Sequence, residues 1–383
     1  MRICVIPGDG IGREVLPAAV AVLRATGLPL AFEEAEAGWA CFERHGTALP
    51  EETLAAARAS DAVLFGAVAS PSHPVPGYRS PIVALRRALD LYANIRPTTS
   101  NQRPTLTPAE SDSSFAGRRS PVVDLVVVRE NTEGLYAGRE RLEDGGATAI
   151  AERVITRRAS ERIARAAFEL ARNRRTTNDR RSASFGDEQR SSLVVRRSSS
   201  PKVTVVHKAN VLRETCGLFR AAALDVAKEY PDVTVEELLV DTCALQLVQR
   251  PERFDVIVTT NLFGDILSDV ACVWGGGLGL AVSANIGETH ALFEPVHGAA
   301  PDIAGRGIAN PLAAIGCAAM LLEHLANRRL QIADCRLSGA DFSAWADRIR
   351  RAVRQVLAEG PRTPDIGGTA TTEEVTGAVI AAL

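Results

Sequence analysis

Short, nearly unbroken apolar runs alternate along this chain with amphipathic stretches of helical period, which predicts an α/β protein with a largely parallel sheet. Residues 2–7 (RICVIP) read as a strand ending in the glycine-rich turn GDGIG at 8–12, and residues 13–26 as the helix that follows. A second strand is expected at 61–66 (DAVLFG) and an amphipathic helix at 81–92 (PIVALRRALDLY). Buried strands are expected at 123–128 (VDLVVV), 203–207 (VTVVH) and 254–260 (FDVIVTT), the last followed at once by a helix. Two segments break the pattern. Residues 100–120 are polar and rich in Pro, Ser and Thr, and residues 174–201 carry seven Arg, seven Ser and three acids among few apolar residues. The second reads either as a basic arm for nucleic acid or anionic lipid, or as a disordered surface insertion. With little there for base stacking, the insertion is the better reading.

At 383 residues, 46% of them hydrophobic, the chain can bury a large core and is expected to form two or three domains. A net charge of -2 supplies no long-range field for gathering nucleic acid. The seven cysteines are scattered, odd in number and without a CxxC pair, which suits reduced thiols and argues against a disulfide framework or a structural zinc site. No apolar run reaches the roughly 18 residues needed to span a bilayer. The N-terminal residues already read as a core strand. A soluble intracellular protein is expected, cytoplasmic, or of the mitochondrial matrix were the source fungal.

Candidate chemistry lies at the ends of the predicted strands. In NLFGDILSD (261–269), Asp265 and Asp269 stand four apart and share one helix face. Such a pair is either a solvated acidic face or part of an oxygen site for Mg²⁺ or Mn²⁺. Asp241, in VDTCALQL, could complete that site, although sequence alone does not bring it there. Arg86, Arg96 and Arg129 lie at the ends of the 81–96 segment and of the strand VDLVVV, where they suit a polycarboxylate if they line a cleft, or are ordinary surface charges if they do not. Tyr136 and Lys208 are candidates for proton transfer, and each is also compatible with a structural role. GDGIG lacks the GxGxxG spacing of a dinucleotide fingerprint and assigns no cofactor by itself.

Read together, IPGDGIG (6–12), ALRRALDLYANIRP (84–97), VVRENTEGLY (127–136), HKANV (207–211), NLFGDILSD (261–269) and EPVHGAAPDIAGRGIANP (294–311) resemble the β-decarboxylating dehydrogenases, the family of isocitrate, isopropylmalate, homoisocitrate and tartrate dehydrogenases. The match runs in family order over about 1–99, 121–172, 202–326 and 356–383, and departs from it at 100–120, 174–201 and about 327–350. The resemblance implies a two-domain α/β fold with a large mixed sheet flanked by helices, not a Rossmann fold. Residues 1–99 plus 254–383 would form the large domain, and 100–253 a small central domain that carries the dimer contacts. It further implies that Asp241, Asp265 and Asp269 bind Mg²⁺ or Mn²⁺, and that Ser80, Arg86, Arg96 and Arg129 bind the substrate. Tyr136 would protonate carbon after carbon dioxide leaves, and Lys208 would take the hydroxyl proton. Lys208 and Asp241 would reach into the site of a partner subunit, so a homodimer or higher homo-oligomer is expected.

By the same resemblance, Asn210, Glu294, His297, Gly298, Asp302, Ile303 and Asn310 would contact NAD. Asp302 would accept the ribose hydroxyls and repel a 2′-phosphate, whereas NADP-using relatives tend to carry a Lys-Tyr pair at Asp302-Ile303. The segment GYRSPIVALRR (77–87) would face the variable end of the substrate. Its Tyr78, Arg79 and Ser80 suit a carboxylate better than an isopropyl group. SPIVALRR, EAEAGWACFERHGTALPEET and RPERFDVIVTTNL are most similar to homoisocitrate-type members, which implies conversion of homoisocitrate to 2-oxoadipate and carbon dioxide in lysine biosynthesis. Isocitrate and 3-isopropylmalate are the alternatives, and Val83, where some bacterial relatives carry arginine, would loosen discrimination. A non-catalytic regulatory subunit is the competing reading of another class. No nucleic-acid or membrane partner is expected.

Overall fold

The computed structural model describes residues 1–71, 73, 75–100, 121–183, 201–328 and 339–383. They form two compact units: Met1–Leu91 with the described part of Gly275–Leu383, and Tyr92–Ser100 with the described part of Ser120–Trp274. In chain order the elements begin with β1 (Arg2–Gly8), α1 (Gly12–Ala25), β2 (Ala31–Glu34), α2 (Trp39–His45), α3 (Glu51–Ala59), β3 (Ala62–Ala67) and α4 (Pro81–Ala88). Next come β4 (Ala93–Thr99), β5 (Asp124–Glu130), β6 (Glu140–Glu143), β7 (Thr148–Ala151), α5 (Arg157–Ala183), β8 (Lys202–His207) and α6 (Arg213–Ala227). They continue with β9 (Thr234–Leu239), α7 (Val240–Gln249), β10 (Val256–Thr259) and α8 (Asn261–Cys272). The last are β11 (Val282–Ile286), β12 (Ala291–Pro295), α9 (Leu312–Asn327), α10 (Gly339–Glu359) and α11 (Thr372–Ala381).

In the first unit the strand order is β2-β1-β3-β12-β11, parallel except for the β11–β12 pair. Helix α1 buries Val15, Leu16, Ala19, Val22 and Leu23, the i, i+3, i+4 set of one face, against β1, β3 and α9. Helix α9 is apolar almost all round, as its enclosure between α1, α10 and the sheet requires. A capping box starts α11: the Thr371 hydroxyl accepts the Glu374 N–H at 3.2 Å and the Glu374 carboxylate accepts the Thr371 N–H at 2.8 Å.

In the second unit the order is β4-β5-β10-β8-β9. β5, β10, β8 and β9 run parallel and β4 is antiparallel to β5. β5 and β10 are covered on both faces, which is why their sequences are unbroken apolar runs. Leu125, Val127, Val206, Leu247, Ile257 and Leu267 form the core beneath α7 and α8.

Three expectations differ from this structure. The helix predicted over 81–92 stops at Ala88, because Asp90 takes a positive φ of 47° and the Leu91 N–H turns back to the Arg86 carbonyl at 2.8 Å. The chain then enters β4, a strand whose sequence ANIRPTT gave no periodic signal. Helix α5 runs on to Ala183, so the insertion begins later than residue 174. Arg174 is anchored at Asp124 Oδ1 (2.8 Å) and Asp255 Oδ1 (3.2 Å). The rest of that segment (184–200) and residues 101–120 and 329–338 lie outside the described residues. The unit boundaries fall at Leu91/Tyr92 and Trp274/Gly275, not at 99/100 and 253/254. The reason is pairing: β4 is hydrogen-bonded to β5 over its whole length, and β10 lies between β5 and β8. Among the described residues no helix is long and apolar enough to cross a membrane.

Candidate active site

Arg129 is the penultimate residue of β5, and its side chain is only 1% exposed. A guanidinium buried this deeply needs its charge and its donors satisfied. Its Nε donates to Asn261 Oδ1 at 2.8 Å and its Nη1 pairs with Asp265. Asn261 opens α8 and is itself fixed by donating to the Glu133 carbonyl at 3.0 Å. The close approach of α8 to the strand depends on Gly264, where a Cβ would stand 2.6 Å from Arg129 Cβ.

Arg96 reaches the same helix from β4. Its Nε donates to Asn94 Oδ1 (2.8 Å) and its Nη1 to Ser268 Oγ (2.9 Å). Its guanidinium also pairs with Asp265 (3.3 Å) and Asp269 (3.4 Å). Tyr136 completes the group, with its hydroxyl donating to Asp265 and its ring 5.1 Å from the Arg129 guanidinium. Burial pushes the Tyr136 phenol above its ordinary range, the adjoining carboxylate adds to this and Arg129 opposes it. Burial also raises the Asp269 carboxyl, with Arg96 opposing and Asp265 reinforcing. Five residues far apart in sequence thus form one cluster of two arginines, two aspartates and a protonated phenol.

Lys208 and Asp241 make a separate pair. Lys208 Nζ lies 2.7 Å from Asp241 Oδ1, and this contact holds the Asp241 carboxyl below its usual range. Asp241 is in the first turn of α7 with 63% of its side chain exposed. Within one copy of the chain it does not gather with Asp265 and Asp269 into a three-ligand group. Around these residues α7 and α8 show solvent Leu245, Val248 and Ile266, each more than half exposed.

The other expected residues lie mostly in the first unit. Arg86 pairs with Glu294 Oε1 at 2.7 Å, and Asn285 Nδ2 donates to the same oxygen at 2.8 Å. Arg86 Nε is buried with no partner among the described residues. Ser80 is the N-cap residue of α4 but makes no side-chain cap. Tyr78, expected beside the substrate, instead donates its hydroxyl to the Ala69 carbonyl at 3.0 Å and packs its ring on Trp39 and Phe42. Asn210, in the second unit, is exposed.

The loop from β12 to α9 holds the remaining residues. His297 Nδ1–H donates to the Gly298 carbonyl (3.0 Å), while its Nε2 is buried with no partner among the described residues. Burial pushes this imidazole down, which favours the neutral ring. Asp302 and Gly298 are exposed and Ile303 half-buried, whereas Asn310 is buried, donating to Asp365 and accepting from the Leu312 N–H, both at 3.0 Å. Two contacts escaped the sequence reading. Glu14 accepts the N–H groups of Gly305 (2.6 Å) and Gly307 (2.9 Å), and the Ile11 N–H bonds the Ala299 carbonyl at 2.9 Å. They fasten the loop to the first turn of α1. Only the position of Glu14, two residues after GDGIG, could have hinted at this.

The donor sets suit the groups the sequence led us to expect. Asp265 and Asp269 offer only hard carboxylate oxygens, as Mg²⁺ and Mn²⁺ require. The orphaned His297 Nε2 and the exposed Asp302 carboxylate offer polar contacts to a nucleotide.

The family model for isocitrate/isopropylmalate dehydrogenase matches residues 2–180 and 190–379. The chain is 52% identical over 384 aligned positions to the isocitrate/homoisocitrate dehydrogenase of Thermus thermophilus, covering 100% of this chain and 98% of that one. It is 47% identical to the 3-isopropylmalate/3-methylmalate dehydrogenase of Methanocaldococcus jannaschii, covering 98% and 96%. It superposes on the crystal structure of isocitrate dehydrogenase from Methylococcus capsulatus with a TM-score of 0.82 at 43% identity, covering 100% and 98%. The cluster on β4, β5 and α8 therefore sits in a chain that belongs to the isocitrate/isopropylmalate dehydrogenase family of β-decarboxylating enzymes.

Proposed function

We propose that this enzyme oxidises and decarboxylates homoisocitrate, using NAD and Mg²⁺ or Mn²⁺, as a homodimer whose subunits complete each other's sites. The observation that carries this is the cluster of Arg96, Arg129, Tyr136, Asp265 and Asp269. Without a ligand, the two guanidiniums and Asp265 satisfy one another. A polycarboxylate accompanied by a divalent cation offers each side a replacement: carboxylates for the arginines, a cation for the aspartates. Exchange of partners avoids leaving either charge buried and bare, which would cost several kcal/mol.

The cation, held by Asp265, Asp269 and Asp241 of a second copy, would ease loss of the hydroxyl proton and stabilise negative charge on oxygen. NAD, held by Asn210, Glu294, His297, Gly298, Asp302, Ile303 and Asn310, would accept the hydride. Arg96 and Arg129 orient the substrate carboxylates by charge-assisted hydrogen bonds, and Arg86 and Ser80 would also bind the substrate. Lys208 of a second copy takes the hydroxyl proton. Tyr136, kept protonated by its surroundings, delivers its own proton to the carbon that carbon dioxide leaves. The exposed apolar faces of α7 and α8 support the second copy that Lys208 and Asp241 require.

Homoisocitrate is preferred because a relative at 52% identity is named for isocitrate and homoisocitrate, and because residues 77–87 offer Arg79 and Ser80. Isocitrate and 3-isopropylmalate remain the competing substrates. Retention of Tyr136, Lys208 and all three aspartates counts against a silent regulatory subunit. The test is NADH formation from homoisocitrate, isocitrate, 3-isopropylmalate and tartrate, with Mg²⁺ or Mn²⁺ and again with chelator. The reading requires cation-dependent turnover with the highest kcat/KM on homoisocitrate, and fails if another acid leads or if NADP replaces NAD.

A further inference from the structure

The stretch between β2 and α3 carries a group of side chains that the proposed reaction does not use. Glu36, Cys41 and His45 bring a carboxylate oxygen, a thiol sulfur and an imidazole nitrogen within 4.8 Å of one another. Cys41 and His45 stand one turn apart on α2 and so share a face of that helix. Glu36 precedes Gly38, whose φ of 115° turns the chain into the helix. The backbone bearing the three groups is tied down on every side. The Glu36 carbonyl accepts from Thr53 Oγ1 at 2.7 Å, and the Gly38 N–H bonds the Ala48 carbonyl at 2.9 Å. The N-terminus of α2 is held by the Asp9 carboxylate, which accepts from Trp39 N–H (2.6 Å) and Ala40 N–H (3.0 Å).

We propose that Glu36, Cys41 and His45 form a binding site for a borderline-soft divalent cation of the zinc class, in the other unit from the aspartate cluster. The donor chemistry selects this class: sulfur and imidazole suit Zn²⁺, Co²⁺ or Cd²⁺ and are poor partners for Mg²⁺ or Ca²⁺. Three protein ligands leave a fourth position for water, the usual form of an open tetrahedral site. Metal–ligand bonds of ~2.0–2.3 Å in a tetrahedron set neighbouring ligand atoms about 3.3–3.7 Å apart. His45 Nε2 and Glu36 Oε2 are already 3.6 Å apart. Side-chain rotation of about 1 Å brings the remaining contacts, at most 4.8 Å, into range.

The present partners do not compete strongly. Arg44 pairs with Glu36 at 3.0 Å, but both side chains are more than half exposed, where solvent screens the pair and leaves it weak. Glu36 and His45 open the site to solvent, while Cys41 is 1% exposed and provides its sheltered floor.

Cobalt titration of the reduced full-length protein, with Mg²⁺ in excess to occupy the aspartates, distinguishes this site from the other. A thiolate-to-cobalt charge-transfer band should appear in the near ultraviolet at one ion per chain. Zn²⁺ should abolish it and further Mg²⁺ should not. Cys41→Ser should remove the band. His45→Ala and Glu36→Gln, at exposed positions that spare the fold, should each weaken cobalt binding at least about tenfold. No such band, or a band unchanged in His45→Ala and Glu36→Gln, would overturn the proposal.

Discussion

Replacing Gly264 by alanine tests whether the position of Arg129, rather than its mere presence, drives turnover. The added Cβ would lie 2.6 Å from Arg129 Cβ, 2.7 Å from its Cγ and 3.2 Å from its Cα, so strand and helix must part or the arginine must move. Overpacking of this kind costs about 1–3 kcal/mol. Alanine in place of glycine inside α8 returns about 1 kcal/mol of helix propensity. The net loss of stability is then about 0–2 kcal/mol, too little to unfold a domain of ordinary stability. Activity should respond far more. Arg129 bonds both Asn261 and Asp265, and a shift near 1 Å breaks the geometry in which a carboxylate is held, which costs about 100-fold in kcat/KM, or about 2.7 kcal/mol of transition-state binding. The measurements are a thermal melt and kcat/KM on the best acid of the substrate panel. A folded Gly264→Ala protein retaining at least half the wild-type kcat/KM would refute the argument, because Arg129 would then tolerate displacement.

Tyr136→Phe should lower kcat by about 10²–10⁴-fold with little change in melting temperature, since it removes a proton donor and leaves the ring on Arg129; an unchanged kcat would exclude Tyr136 as the donor. Lys208→Ala and Asp269→Asn should each be inactive alone, yet mixing them through dissociation and reassociation should restore up to roughly a quarter of wild-type activity, because half the dimers are mixed and each has one intact shared site. No recovery would mean that Lys208 serves its own subunit. Asp302→Ala should weaken NAD binding about tenfold by equilibrium fluorescence and narrow the preference over NADP, whereas equal affinities would remove Asp302 from the ribose site. Burial pushes the His324 imidazole down to about 4, below its value in the unfolded chain. The unfolded state therefore binds more protons between about pH 6.5 and 4, so stability is full above that window and falls by up to about 3 kcal/mol as pH drops through it. His324→Leu should flatten this dependence in acid denaturation, and an unaltered profile would assign the acid sensitivity elsewhere.

Much of the site could be read before the structure because its parts sit at strand ends. Arg129 directly follows an unbroken apolar run, and Asp265 and Asp269 share a helix face set by a spacing of four. Neither signal survives where pairing is non-local. β4 contains Pro97, lacks alternation and exists because all seven of its residues pair with β5, from Ala93 opposite Glu130 to Thr99 opposite Asp124. The two compact units divide at other positions than the resemblance implies, because they follow strand partners. Helix α5 runs on to Ala183 although the arginine-rich composition from 174 reads as disorder; the helix packs on β5 and β10, and Arg174 is anchored at Asp124 and Asp255. The packing of the Tyr78 ring on Trp39 and Phe42 had no signal in the sequence, because those contacts are made across 36–39 residues of chain.

The ligand-free pairing of Arg96 and Arg129 with Asp265 bears on how such a site avoids binding the wrong acid. A monocarboxylate can relieve at most one guanidinium, and without a cation Asp265 has nothing to gain by releasing either. A bound acid lacking a second properly placed carboxylate therefore leaves one buried charge short of its partner, at a cost of about 1–3 kcal/mol even where a hydrogen bond survives. Discrimination of this kind needs no contact to the variable end of the substrate. In the proposed reaction it would reject whole classes of acid through the ion pairs already present, and would leave the choice among di- and tricarboxylates to other residues. Asp269 marks the balance point: with Arg96 lowering its carboxyl and Asp265 raising it, its charge depends on which partner the arginines keep. Removing Arg96 would thus do two things at once, weakening a substrate contact and raising the proton affinity of a neighbouring carboxyl. The loss in Arg96→Ala should accordingly deepen as pH falls, in a way that a pure loss of substrate binding would not.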